Sequence, residues 1–448
     1  MYLREGMNAG KPGESRFSAV FGRVGSCDNI AERKRGHSGA IQGVWQLSRQ
    51  HRNDSQWSIE SLAVHAGEGT YQSSAVSTTT PIFMASSFHY ESTDELDRVL
   101  GNEAPGYSYG RYANPTTRAF ESAVARLEGS EDALAFSSGM AAIYAALALH
   151  AEAGRAIVAS RDIYGASFSV LRDHYRRLGV TPVFVDITDL DAVAAATREH
   201  RPVAILAETI SNPLLRVANI PALVEIAGAV GAKVLIDNTF ASPLLVHPIE
   251  LGADMSIHSS TKFIAGHGDI IGGVITGGSE TIAALREQTK MLGAVPSPMD
   301  AWLSLRGIKT LPLRYNRQCE SAAEIADRLR ADDRIARVIY PDTDDNPGGQ
   351  FRSGHRGSMI SFEVKGAGPA EVFRLMNALE MVVPATTLGD VYTLMLYPAM
   401  ASHRALTPEE RAAVGISDSL VRLSVGIEAP DDIVRDISQA LDAMTADD

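Results

Sequence analysis

From Ala133 to Ile257 the chain repeats one pattern: a short apolar run, a turn of small or polar residues, then a segment long enough for a helix. Apolar runs joined by connections too long for hairpins mark strands that lie parallel and are buried on both faces. The pattern predicts strands at Ala133–Phe136, Ala156–Ala159, Thr181–Val185, Val203–Ala207, Lys233–Ile236 and Asp254–Ile257. It predicts helices running up to His150, onward from Ser167, and over Ile220–Val230. Such a chain folds as an open α/β sheet, and open α/β sheets place ligands beyond the C-terminal ends of their strands.

Those ends carry the chemically capable side chains. Ser137, Ser138, Gly139 and Met140 follow the first strand and open a helix, so several backbone N–H groups can face one anion. Tyr164 stands beyond the second strand, Asn212 beyond the fourth, and Asp237 at the end of the fifth. The sixth runs into Ser259, Ser260, Thr261 and Lys262, and six glycines over Ile264–Gly278 leave backbone able to approach a ligand closely. A lysine behind three hydroxyls suits two tasks: neutralising a phosphate, or forming a Schiff base with an aldehyde cofactor whose phosphate the hydroxyls hold. Neither a GxGxxG nor a Walker A pattern is present, so neither a dinucleotide nor a nucleoside triphosphate is implied. A phosphorylated pyridine aldehyde uses every group in the set. Lys262 suits its aldehyde, Asp237 its ring nitrogen, Tyr164 its ring face and Asn212 its ring hydroxyl, with Ser138, Gly139, Met140, Ser259 and Thr261 around its phosphate.

Upstream, Trp57–Ala66 reads as a short helix, Glu68–Phe88 as an irregular arm with little to bury, and Thr93–Leu100 as a helix capped at Ser92 or Thr93. In GYSYGRYANPTT (Gly106–Thr117), Tyr109 and Arg111 share one side of an extended chain, a phenol and a guanidinium suited to an oxyanion or phosphate. Pro115 then opens a helix. Residues 1–56 are rich in Gly, Ser and Arg, lack periodicity, and read as a disordered extension. Glu5, Glu14, Asp28 and Glu32 are out of keeping with a targeting peptide, and an over-long start accounts for the segment more simply. Beyond Lys309 a helix over Arg314–Leu329 leads to strands at Arg337–Tyr340 and Met359–Val364, a helix at Ala370–Leu379, and strands near Val382 and Val421. The expected division is 1–56 extension, 57–114 arm, 115–308 large domain, and 309–448 smaller α+β domain.

A net charge of −13 argues against nucleic acid as a partner, and no apolar run is long enough to span a bilayer. Two cysteines, Cys27 and Cys319, supply neither a disulfide framework nor a four-thiolate metal site, so no metal is expected and a reducing cytoplasm fits.

The segments YGRYANPT, SSGMAA, ETISNP, DNTFASP and HSSTKF resemble the motifs of the Cys/Met-metabolism family of pyridoxal-phosphate enzymes, over about Ser61 to Leu441. That group includes cystathionine γ-synthase, cystathionine γ- and β-lyases, methionine γ-lyase and O-acylhomoserine sulfhydrylases. The resemblance implies an aspartate-aminotransferase-like fold of type I, pyridoxal 5'-phosphate on Lys262, Asp237 at the pyridine nitrogen, and Tyr164 stacked on the ring. It implies a homotetramer of active dimers in which Tyr109 and Arg111 reach the phosphate of the neighbouring subunit. VRLSVGIE (Val421–Glu428) resembles the family's closing motif, which makes Arg422 the partner of a substrate carboxylate, with Asn212, Thr387 and Leu388 beside it. The implied reaction is β- or γ-elimination at a C–S bond of an amino acid, with γ-replacement on an O-acylhomoserine as the alternative. The sequence also departs from the family. Thr386 stands where cystathionine-handling members carry glutamate, Ala166 where methionine γ-lyases carry cysteine, and Tyr397–Met400 where HPAS is usual.

Overall fold

A computed structural model describes residues 57–67, 77–341, 346–401, 404 and 407–445. The expected extension over 1–56, Cys27 and the part of the arm over 68–76 lie outside the described residues. The six expected parallel strands form, each within about two residues of its expected limits: β1 Asp132–Phe136, β2 Ala156–Ser160, β3 Thr181–Val185, β4 Ala204–Glu208, β5 Lys233–Asp237 and β6 Met255–His258. With β7 (Gly273–Gly277) they make a seven-stranded sheet ordered β1-β7-β6-β5-β4-β2-β3. β7 lies antiparallel to both of its neighbours, β1 and β6, so the other strands all point their C-terminal ends the same way.

Alternation along each strand feeds two cores. Val234 and Ile236 of β5 pack with Ile220 and Leu223 of the helix Ile220–Gly228. Leu235, between them, packs on the other face with Met255, Ile257 and the helix Gly139–His150. Burial on both faces is what the uninterrupted apolar runs required.

β7 falls within the glycine-rich stretch Ile264–Gly278, over which no strand was expected. Its glycines answer close approach rather than turning: a Cβ on Gly273 would lie 2.3 Å from the Ser138 carbonyl oxygen, and one on Gly277 2.9 Å from that of Asp254. Val274, Ile275 and Thr276 between them are fully buried.

A second sheet, ordered β10-β11-β12-β9-β8, comprises β8 Ile335–Ile339, β9 Met359–Val364, β10 Val383–Pro384, β11 Leu394–Leu396 and β12 Leu420–Ser424. The helices Pro369–Ala378 and Pro430–Thr445 cover it through Val372, Leu375, Ile433 and Ile437. The 20-residue helix Leu311–Arg330 joins the two cores. Its Leu311, Tyr315 and Cys319 belong to the core of the larger sheet, and Ala322, Ile325, Ala326 and Leu329 to that of the smaller one. Among the described residues no helix is long and apolar enough to cross a membrane.

Candidate active site

The C-terminal ends of β1, β2, β4, β5 and β6 open on one side of the sheet, and the residues beyond them are joined by direct contacts. Ser138 caps the helix Gly139–His150, its Oγ accepting the Ala141 N–H at 3.0 Å and its carbonyl the Ala142 N–H at 3.1 Å. Gly139 sits so close to the lysine loop that a Cβ there would come within 2.7 Å of Ser259 Cβ. The Ser259 N–H donates to Thr239 Oγ1 at 2.9 Å, and the Thr239 N–H donates to Asp237 Oδ1 at 3.0 Å. Thr261 Oγ1 donates to the Gly272 carbonyl at 3.2 Å and accepts the Gly272 N–H at 3.0 Å, fixing the turn that presents Lys262.

A second set of contacts crosses from the smaller sheet. Lys262 Nζ donates to Thr387 Oγ1 at 2.7 Å, while Arg422 Nη2 donates to the Thr387 carbonyl at 3.0 Å. Arg422 Nη1 donates to Asn212 Oδ1 at 2.8 Å, and its Nε is buried with no partner among the described residues. The loop carrying Thr387 lies on the lysine loop itself. At Gly389, where φ is +83°, a Cβ would stand 2.7 Å from the Phe263 nitrogen, and the Val391 N–H donates to the Gly266 carbonyl at 3.0 Å. Arg314 backs this junction, donating to the carbonyls of Phe263 at 3.0 Å and Gly307 at 2.9 Å.

Burial sets the electrostatics. It lowers the Lys262 ammonium to about 8, helped by the like charge of Arg422 and opposed by Asp390. Burial likewise brings Arg422 down to about 10. Asp237 is raised by burial, against the pull of the Thr239 donors and the His258 field. Glu208, its register partner at the end of β4, is raised well above the usual carboxylate range by burial and then by Asp237.

These contacts bring together Ser138, Gly139, Asn212, Asp237, Ser259, Thr261, Lys262, Thr387 and Arg422 of the residues singled out in the sequence. Tyr164 joins them through its N–H, which donates to Glu208 beside Asp237, and Met140 follows Gly139 in the first turn of its helix. The Leu388 side chain is in the hydrophobic core instead. Tyr109 and Arg111 are not linked to this set. The guanidinium of Arg111 lies 5.5 Å from the ring of Tyr109 and 5.0 Å from that of Tyr112, and no hydrogen bond among the described residues links either to the strand ends. Thr239, Glu208, Arg314 and Asp390 were not singled out. Glu208 had a readable signal, a carboxylate closing a strand as Asp237 does, and Arg314 another, a cation inside an apolar helical stripe.

The Cys/Met metabolism PLP-dependent enzyme family matches residues 60–442. The chain belongs to this family. An L-methionine gamma-lyase of Fusobacterium nucleatum subsp. polymorphum is 38% identical over 86% of this chain and 98% of its own. An O-succinylhomoserine sulfhydrylase of Pseudomonas aeruginosa is 36% identical over 89% of this chain and 99% of its own. The fold matches that of a putative O-acetylhomoserine (thiol)-lyase from Campylobacter jejuni, solved with N'-pyridoxyl-lysine-5'-monophosphate, with a TM-score of 0.81 and 27% identity over 86% of this chain and 100% of that one. The fold is that of the type I pyridoxal-phosphate enzymes, and pyridoxal 5'-phosphate is the cofactor. The strand ends fit it: a helix N-terminus at Ser138 packed through Gly139 against Ser259, a partly buried carboxylate whose pKa burial raises, and a lysine with a depressed pKa.

The lowered Lys262 pKa gives a direct expectation for apoprotein. Acylation of Lys262, followed by peptide mass spectrometry, should be half-maximal near pH 8, because only the neutral amine reacts. Surface lysines should still be rising above pH 10.

Proposed function

We propose that this protein cleaves the C–S bond of a sulfur-containing amino acid by β- or γ-elimination, consuming one water and releasing a thiol, ammonia and a 2-oxo acid. The observation that carries this reading is Thr387, which touches both the Lys262 amine and the Arg422 guanidinium. A base and a carboxylate anchor joined through one residue hold an amino acid by its α-carboxylate with its α-proton beside the amine. The F. nucleatum relative, an L-methionine gamma-lyase, supports the same outcome.

Arg422 takes the substrate α-carboxylate, aided by Asn212, Thr387 and the Leu388 backbone, as a planar guanidinium suits a carboxylate. Lys262 carries the cofactor between turnovers and, once free, moves the α and β protons. Its depressed pKa leaves part of the amine neutral, and so basic, at neutral pH. Tyr164 offers its ring to the cofactor face and its hydroxyl to proton transfer or the departing group. Asp237 keeps the pyridine nitrogen protonated. Ser138, Gly139, Met140, Ser259 and Thr261 hold the phosphate. When bound, pyridoxal phosphate supplies the electron sink that stabilises charge at the substrate α carbon. The P. aeruginosa relative favours a second reading, γ-replacement on an O-acylhomoserine by an added thiol.

The segment 57–114 serves as an arm whose Tyr109 and Arg111 complete the phosphate site of a neighbouring subunit, in a cytoplasmic homotetramer of active dimers. That no hydrogen bond among the described residues ties either side chain to the strand ends of its own chain supports this.

Assay of one purified sample on methionine, homocysteine, cysteine, cystathionine and O-acetyl- and O-succinylhomoserine tests the reaction. Elimination gives a 2-oxo acid without added thiol; turnover only when a thiol is supplied favours replacement, and no turnover on any of them removes the proposal. Thr386 is exposed and offers only a neutral hydroxyl to a distal ammonium. Cystathionine should therefore have a lower kcat/KM than at least one smaller substrate, and Thr386→Glu should shift the ratio toward cystathionine by ~1–3 kcal/mol, the scale of a hydrogen bond to a charged group. The shared site has its own test. Inactive Arg111→Ala and inactive Lys262→Ala proteins, co-refolded into mixed oligomers, should regain activity, since one site of each mixed dimer is intact.

A further inference from the structure

Glu208 is a buried carboxyl that the proposed chemistry leaves without a task. It closes β4 as the register partner of Asp237, so the two acids stand side by side where strands β4 and β5 end. Oε1 accepts the Tyr164 N–H at 2.6 Å, and the Asn212 N–H lies near enough to favour the charged carboxyl. Oε2 is buried and has no partner among the described residues. A single side chain thus bonds the turn presenting Tyr164 and stands beside both the loop presenting Asn212 and the strand end at Asp237.

We propose that Glu208 is a positioning residue, which holds the Tyr164 turn in place through its carbonyl oxygen and works as a neutral acid. Two ionised carboxylates at adjacent strand ends repel one another in a buried site. Asp237 has the Thr239 N–H, the Thr239 hydroxyl and the field of His258 to stabilise its charge. Glu208 faces Asp237 from β5 and Asp162 from the turn after β2, both of which disfavour its charge, while the Tyr164 and Asn212 amides oppose them. Asp162 is itself engaged, accepting from Ser160 Oγ and pairing with Arg216 at 3.8 Å. The proton therefore resides on Glu208, and the one negative charge of the pair stays on Asp237, where the pyridine nitrogen of the proposed site needs it.

The inference rests on the proposed placement of pyridoxal phosphate at these strand ends, and one readout is independent of that placement. Glu208→Gln keeps the carbonyl acceptor and removes the titration; Glu208→Leu keeps the bulk and removes the acceptor. In apoprotein, amide hydrogen exchange over Asp162–Ser167 should match wild type in Glu208→Gln and be at least tenfold faster in Glu208→Leu, the scale of a buried donor left unpaired. The pyridoxal-phosphate Kd, from fluorescence titration between pH 6 and 9, should stay within about threefold of wild type in Glu208→Gln across that range and rise about tenfold or more in Glu208→Leu. Glu208→Gln behaving like Glu208→Leu in exchange overturns the neutral-acid role, and unchanged exchange in Glu208→Leu overturns the positioning role. Normal rescue of exchange in Glu208→Gln with no effect of either variant on Kd overturns the cofactor placement instead. Should Glu208→Leu yield no folded protein, Glu208→Gln decides: wild-type exchange supports the proposal, and tenfold faster exchange overturns it.

Discussion

The close approach of two loops, one from each sheet, is the constraint on which the rest of the site depends. Gly389 lies against the backbone of Lys262 and Phe263 in a conformation with positive φ, which side chains avoid. Gly266 faces the Arg314 guanidinium, where a Cβ would overlap Nη1 at 1.8 Å, and Gly268 faces Asp390, where one would stand 2.9 Å from Oδ2. Only backbone fits between these groups. That contact places Thr387 within reach of both Lys262 and Arg422, and so brings a base on the larger sheet beside a carboxylate anchor on the smaller one. The helix Leu311–Arg330, rooted in both cores, holds the two sheets at the spacing this contact needs.

The same closeness excludes water and so sets the charges. Lys262 and Arg422 both lose affinity for their protons on burial, whereas Asp237, Glu208 and Asp390 gain it. The opposing movements leave a lysine able to act as a base near neutral pH next to a guanidinium that stays charged, since a value of about 10 is still well above neutrality. In the proposed reaction these are the two states required of them. The order of basicity is the intrinsic one, a guanidinium above an ammonium, because burial lowers the two groups alike.

Much of the fold was legible because buried parallel strands leave uninterrupted apolar runs, and the six runs from Ala133 to Ile257 became β1 to β6. β7 was not legible because its three central residues are flanked by Gly272, Gly273, Gly277 and Gly278, which suggested close approach of a ligand, while what approaches Gly273 and Gly277 is the chain's own backbone, as only the three-dimensional arrangement reveals. β11, at three residues, is too short to leave a periodic signature. In the smaller sheet, the strand expected at Arg337–Tyr340 begins two residues earlier, at Ile335, where a register irregularity against β9 breaks the alternation. At the site, residues that follow strand ends could be placed in advance, since the topology of open α/β sheets fixes where they gather. Glu208 was passed over because its role lies in the Tyr164 amide it accepts, 44 positions away in sequence. Thr239 and Arg314 likewise act through backbone groups brought near by the fold.

The proposed site depends on Lys262 as the residue that carries pyridoxal phosphate. Reduction of the purified holoprotein with borohydride, followed by peptide mapping, reads this directly. A pyridoxyl group on the peptide containing Lys262, and its loss in Lys262→Ala, is the predicted result. A pyridoxyl group on Lys233 or Lys290, with Lys262 unlabelled, would contradict it.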